Sequence, residues 1–170
     1  MSRAAFEIRP ATNADVSIVV ELIRALAAYE KLSQLCVAGE PEIAAALFGD
    51  RPAAEVLIAW KNGEAAGFAL FFHNFSTFLG RRGLWLEDLY VRPAFRRQGC
   101  AHALLHASAG IARDRGCGRF EWSVLDWNAP AIEFYQALGA TVLPDWRIVR
   151  VVGPALAAMA DGDPAATTRN

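Results

Sequence analysis

The densest group of reactive side chains lies between positions 91 and 101, in the run Val91-Arg92-Pro93-Ala94-Phe95-Arg96-Arg97-Gln98-Gly99-Cys100-Ala101. Pro93 forbids the continuation of a central strand. Gly99 accepts backbone conformations that a Cβ resists, and it lets a ligand come close. A helical pattern starts directly after it, and the first N–H groups of a helix have no intrahelical acceptor. Arg96, Arg97, these amides and the helix dipole together suit a di-anion, for which a nucleotide pyrophosphate is a natural occupant. The same residues would also serve as an ordinary strand–helix turn with two surface arginines, because a lone glycine loop is a weak signal. No Gly-Lys-Ser/Thr and no Gly-x-Gly-x-x-Gly occurs here. Upstream stand two adjacent carboxylates, Glu87 and Asp88, within an apolar run. Neighbours in a strand point to opposite faces, so one of the two is expected to serve a given site. An ion pair with a nearby arginine is the alternative for either carboxylate, and is the expectation for Asp88.

The elements that must position these groups follow from periodicity. Residues 6–9 alternate and stop at Pro10, as a short strand does. Val16, Val19, Val20, Ile23 and Leu26 or Ala27 recur at helical spacing up to Glu30, and Pro41 opens a second helix that ends at Gly49. Strands over 56–60 and 66–72 are joined at Lys61-Asn62-Gly63-Glu64, where Asn-Gly marks a tight hairpin turn. Residues 84–91 form the next strand, with Leu84, Leu86, Asp88 and Tyr90 expected on one face and Trp85, Glu87, Leu89 and Val91 on the other. A helix over 99–115, a strand over 119–125, a helix over 130–138 and a last strand over 146–152 complete the pattern. Early strands are linked by hairpins and later ones by helices, so the fold class is α/β, a mixed sheet with helices on its faces. Residues 1–152 are expected to form one domain, and 153–170 a short helix or flexible tail.

Composition narrows the function. The 170 residues are 54% hydrophobic and 21% charged, which excludes disorder for most of the chain. Basic and acidic residues number 17 and 18, leaving a net charge of −1 and arguing against a nucleic-acid-binding module. All the basic residues but Lys31 and Lys61 are Arg, the better partner for phosphate. Cys36, Cys100 and Cys117 form no Cys-x-x-Cys pair, and no run is apolar enough to span a membrane. A soluble cytoplasmic protein is therefore expected. His102 and His106 have a zinc-like spacing but lack an evident third ligand, so no metal is expected.

Arg96-Arg97-Gln98-Gly99-Cys100-Ala101 resembles the acetyl-CoA signature of the GNAT N-acetyltransferases, Arg/Gln-x-x-Gly-x-Gly/Ala. Five further blocks resemble the spermidine/spermine (diamine) branch: Ile8-Arg9-Pro10-Ala11-Thr12, Leu26-Ala27-Ala28-Tyr29-Glu30, Leu86-Glu87-Asp88-Leu89-Tyr90-Val91, Leu125-Asp126-Trp127-Asn128 and Phe134-Tyr135-Gln136-Ala137-Leu138-Gly139-Ala140. They keep their order over about residues 6–150.

The resemblance implies the GNAT acyl-CoA N-acyltransferase fold, a mostly antiparallel sheet of six to seven strands with helices on both faces. It implies acetyl transfer from acetyl-CoA to a small primary amine by direct attack in a ternary complex. The chemistry needs a neutral amine, donors for an oxyanion and a proton for the departing thiolate. By resemblance Glu87 handles the amine and Tyr135 is the acid. Leu89, Tyr90 and Val91 would pair with the pantetheine, Arg96, Arg97, Gln98, Gly99, Cys100, Ala101 and His102 would hold the pyrophosphate, and Asn128, Ala129, Pro130 and Ala131 would flank the pantetheine arm. Tyr29, Glu30, Glu87, Glu121, Trp122, Ser123 and Asp145 would line the amine site. A homodimer is implied too. The chain departs from the branch at Cys100-Ala101, where Ile-Gly is common, and in a shortened segment around Asp145. A protein or peptide N-acetyltransferase and a non-catalytic acetyl-CoA sensor are the rival readings.

Overall fold

A computed structural model describes residues 5–162. The chain divides into two compact units, Met1–Ser123 and Val124–Asn170. The first holds a five-stranded sheet in the order β1-β2-β3-β4-β5: β1 Glu7–Pro10, β2 Glu55–Lys61, β3 Glu64–Ser76, β4 Arg81–Val91 and β5 Phe120–Trp122. The first four strands are antiparallel in succession, and β5 runs parallel to β4. The turn between β2 and β3 uses positive φ at both Asn62 and Gly63, as the Asn-Gly pair predicts.

Helices cover both faces. Helix α1 (Val16–Tyr29) starts where Asp15 accepts hydrogen bonds from the Thr12 amide and hydroxyl. Its stripe of Val19, Leu22 and Leu26 packs with Leu47 of α2 (Glu40–Phe48) on Val56 and Ile58 of β2, Phe68 of β3 and Tyr90 of β4. Strand alternation sends Leu57, Ala59, Ala69 and Phe71 to the other face. There α3 (Cys100–Asp114) buries Cys100, Leu104, Leu105 and Ala112. Each face thus combines an apolar helix stripe with one alternate set of strand residues, the arrangement that buries both sides of a sheet.

The expected alternation of β4 breaks at Glu87. Asp88 pairs with Leu70 and Leu86 with Phe71, so Glu87 is an extra residue, a bulge. Leu84 and Leu86 therefore lie on the α3 face, whereas Trp85, Asp88 and Tyr90 lie on the α1 face. This corrects the simple two-face reading.

The second unit contains α4 (Ala129–Ala137) and α5 (Gly153–Ala160). The helix expected after residue 152 is thus present to Ala160, and residues 163–170 lie outside the described residues. The strand expected over 146–152 is absent among the described residues, which leaves five strands instead of six to seven. Ile148, Val149 and Val152 are β-prone yet exposed, and that preference is expressed only against a paired neighbour. The strand expected over 119–125 shrinks to Phe120–Trp122 for a related reason: its partner β4 leaves it after Leu86. Among the described residues no helix is long and apolar enough to cross a membrane.

Candidate active site

The site begins with the parting of two parallel strands. Strand β5 pairs with β4 only at Leu84–Phe120, Trp85–Glu121 and Leu86–Trp122. From Glu87 to Val91, β4 keeps β3 on one side and has no ladder on the other among the described residues. The Arg92 amide donates to Ala66 O on β3 at 2.9 Å. Backbone groups alternate in direction along a strand, so Tyr90 also turns its N–H and C=O toward β3, while Leu89 and Val91 turn theirs to the open side. Val91 O accepts there from Arg96 Nε at 3.0 Å. The open edge can take an extended amide-bearing chain as one more strand. Of the three residues expected to do so, Leu89 and Val91 have the right direction.

Beyond β4 the chain turns into α3. Gly99 is the residue before the helix and has φ +91°, a conformation that costs a β-carbon residue about 1–2 kcal/mol. Gln98 and Gly99 donate their amides to no backbone acceptor among the described residues. The amides of Cys100, Ala101 and His102 are in the unsatisfied first turn. Together they make a candidate cradle for an anion. Arg96, whose Nε reaches Val91 O, has its guanidinium 4.8 Å from the Tyr29 ring centroid and 5.8 Å from that of Tyr90. A contact that local sequence does not announce reaches the loop here: Lys61 Nζ donates to Gln98 Oε1 at 2.8 Å, across 37 positions of sequence. Cys100 is buried, and burial pushes its thiol up to about 11, with the Lys61 charge opposing. It is not a nucleophile at neutral pH.

The α1 face carries the acids. Trp85 Nε1 donates to Glu87 Oε2 at 2.8 Å, so Glu87 keeps the face that alternation gives it beside Trp85. The bulge brings Asp88 round to the same face. Two consecutive carboxylates therefore serve one side of the sheet, against the expectation from strand geometry. Burial pushes Asp88 up to about 6, and the charges of Glu87 and Glu30 add to the rise. Glu30, just past α1, is itself raised by burial. Asp88, expected to be an ion-paired carboxylate, instead has acids around it. A group with these surroundings is a candidate proton acceptor near neutral pH.

The structure sorts the remaining residues by face and by unit. Glu121 pairs with Trp85 and shares its face, whereas Trp122 pairs with Leu86 and stacks edge-on with Phe120 on the α3 side, ring centroids 5.0 Å apart. Glu121 Oε2 accepts from Asn74 Nδ2 at 3.1 Å and lies 2.6 Å from Arg119 Nε, so its charge is matched within the fold. Ser123 is exposed. In the second unit, Asn128 precedes α4 and its carbonyl accepts from the Ala131 and Ile132 amides at 3.0 and 3.1 Å. Ala129, Pro130 and Ala131 form the first turn of α4, and Tyr135 follows one turn on, its ring 5.5 Å from that of Phe134. Asp145 lies in an exposed stretch without regular structure.

Comparison with known proteins agrees with this architecture. Residues 23–140 match the model of the Acetyltransferase (GNAT) family. A thialysine N-epsilon-acetyltransferase of Bos taurus is 37% identical over 90% of this chain and 96% of its own. An L-ornithine N5-acetyltransferase of Arabidopsis thaliana is 33% identical over 89% of this chain and 86% of its own. Among solved structures, an integron cassette protein from the mobile metagenome of V. cholerae superposes with a TM-score of 0.78 at 23% identity, covering 93% of this chain and 99% of that one. With a family match spanning the β4–α3 cradle and relatives aligned over nearly their full length, the chain belongs to the GNAT family of N-acetyltransferases.

Proposed function

We propose that this enzyme transfers the acetyl group of acetyl-CoA to the primary amino group of a small cationic amine, by direct attack within a ternary complex. The observation that carries the reading is the meeting of Glu30, Glu87 and Asp88 on the face beside the open edge of β4. Acids that repel one another and are partly desolvated gain most from an incoming ammonium. GNAT acetyltransferases use acetyl-CoA, which supplies the activated thioester. The residues here fit it: Leu89 and Val91 turn backbone groups to the open edge, and the amides from Gln98 to His102 would hold the pyrophosphate, with Arg97 in the same loop. In this reading Glu87 and Asp88 draw the ammonium in, one of them takes its proton, and Tyr135 gives a proton to the departing sulfur. Acetylation of ornithine and thialysine by relatives supports an acceptor of this size and charge.

The test is a screen of free diamines, polyamines, ω-amino acids and amino-terminal peptides for acetyl-CoA-dependent thiol release. Turnover of a small free amine is expected. Turnover of peptides alone would replace this reading with protein acetylation. Tight acetyl-CoA binding with no release from any acceptor would point to a sensor.

The cradle has its own test. Gly99→Val puts a branched residue at φ +91°, with open space around the new Cβ, so backbone strain is the direct effect. The expected result is a rise of about tenfold or more in the KM for acetyl-CoA, from a misaligned set of amides. An unchanged KM would show that the anion binds elsewhere.

A further inference from the structure

The loop between β4 and α3 is held unevenly along its length. Its first half is tied to the sheet. The Arg92 amide and Nε donate to Ala66 O and Ala65 O at 2.9 and 2.8 Å, and the Phe95 and Arg96 amides close on Arg92 O and Pro93 O. From Cys100 onward the chain is helical. Between these anchors Arg97 and Gly99 both have positive φ, +58° and +91°. Arg97 carries a Cβ in the region that disfavours one. Gln98 stands between them, and its own amide donates to no backbone acceptor among the described residues. Such a stretch keeps its shape when its surroundings impose it.

The Gln98 side chain supplies a hold of that kind, at both ends of its amide. Nε2 donates to Ala94 O at 2.7 Å, back across the loop, and Oε1 accepts from Lys61 Nζ at 2.8 Å. Lys61 is the last residue of β2, is paired with Glu64, and leads into the Asn62-Gly63 turn. The sheet therefore fixes its backbone, and its side chain extends that rigidity to the loop. A second contact runs beside the first. Lys61 Nζ lies 5.0 Å from the Phe6 ring centroid, and Phe6 meets Phe95 edge-on with centroids 6.4 Å apart. A charged donor makes the stronger hydrogen bond, and the face of a ring adds attraction for the same ammonium. Lys61 thus reaches the loop directly at Gln98 and through Phe6 at Phe95. N–H groups that are aimed before an anion arrives bind it without a further ordering cost.

We propose that Lys61 is a positioning residue for the cofactor: through Gln98 it holds Arg97, Gln98 and Gly99 in the anion-binding shape, and it acts by that brace rather than by its own charge on a phosphate. The proposal rests on the acetyl-CoA reading above and adds what keeps the loop in shape.

Calorimetric titration tests it without any acceptor amine. The two ligands are CoA and dephospho-CoA, which keeps the pyrophosphate and lacks the 3′-phosphate. Lys61→Met is expected to weaken both about tenfold, and Lys61→Arg to keep most of the affinity. Gln98→Met leaves the lysine and the backbone amide in place and is expected to reproduce the loss. The double variant should be little worse than either single one, as for two parts of one brace. In the ligand-free protein, backbone NMR order parameters at Gln98 and Gly99 should fall in Lys61→Met. Unchanged affinity or unchanged order parameters in Lys61→Met would overturn the proposal. So would full affinity in Gln98→Met, losses that multiply in the double variant, or a loss with CoA alone, each the mark of a direct phosphate contact. Gln98→Met alters no residue of the sheet, so a poorly folded Lys61→Met would leave the test intact. A wild type that binds neither ligand would defeat the acetyl-CoA reading itself, which is distinct from a wild type and a Lys61→Met that bind equally well.

Discussion

Asp88→Asn is expected to make the enzyme much slower and, at neutral pH, more stable. Both effects have one cause. The ordinary Asp value of 3.8 rises to about 6 in the fold, through burial first and the Glu87 and Glu30 charges second. Between those two values the folded state holds a proton that the unfolded state has released. Stability is therefore fully present below pH 3.8 and declines as pH climbs to about 6, beyond which the whole cost of a buried carboxylate is borne. A rise of that size corresponds to about 3 kcal/mol. Asparagine carries no charge, so the variant should gain up to about 3 kcal/mol at pH 7 and nothing near pH 4. Denaturant melts at the two pH values would show this. If Asp88 takes the amine's proton, kcat/KM should fall by about 10²–10⁴-fold in the same variant. The wild-type kcat/KM should also rise with pH through about 6 as Asp88 ionises. A bound ammonium favours the carboxylate, so the corresponding limb of kcat should lie lower. Wild-type turnover in Asp88→Asn would pass the proton step to Glu87. Unchanged stability at pH 7 would mean that the carboxyl is not held up at all.

That Asp88 is buried beside the charges of Glu87 and Glu30 shows what the sequence carries and what it does not. Local signals are legible wherever the cause is local. Asn62-Gly63 dictates its turn through two positive φ angles, and Gly99 dictates its own through one. The stripe of Val16, Val19, Val20 and Leu26 is a property of one helix and appears as such. Glu87 is a different case. The run from Leu84 to Val91 is apolar on both faces apart from the adjacent Glu87 and Asp88, so no period in it announces an extra residue. The bulge exists because β3 and β4 must keep register over ten pairs with Leu86 facing α3 and Tyr90 facing α1. It is chosen by packing on both faces of the sheet at once. The pairing of Lys61 with Gln98, 37 residues away, and of Asn74 with Glu121, 47 away, is equally tertiary. Each fixes where a charged group lies, Lys61 Nζ against the Gln98 side chain and Glu121 against the Asn74 amide. A strand propensity without a partner, as at residues 146–152, is the reverse case, a local signal that no neighbour takes up.

Tyr135→Phe tests the other half of the chemistry, the exit of sulfur. The substitution removes one oxygen and keeps the ring that contacts Phe134. The melting temperature is measured beside turnover, so that a loss of fold is separated from a loss of chemistry. A phenol near pKa ~10 is slightly less acidic than a thiol near ~8.5, so full transfer is uphill by about 2 kcal/mol, a small step beside the barrier for expelling a bare thiolate. The expected loss in kcat is about 10²–10³-fold with acetyl-CoA affinity within about twofold, since the phenol would act on charge that develops only as sulfur leaves. The leaving group provides an internal check. An acetyl thioester of a more acidic thiol needs less help from a proton donor, so the defect of Tyr135→Phe should shrink as the thiol pKa falls. A defect that stays constant across such thioesters would make Tyr135 a positioning group, and a parallel loss of acetyl-CoA binding would make it a contact of the cofactor arm. Unchanged turnover would remove it from the mechanism, leaving solvent or the newly formed ammonium as the proton source. The ammonium is the only alternative that would tie the two halves of the reaction together, because the proton it loses to sulfur is one that Asp88 then need not accept. Combining the two substitutions separates these routes: independent steps give losses that multiply, whereas a shared proton path gives a double variant little worse than the poorer single one.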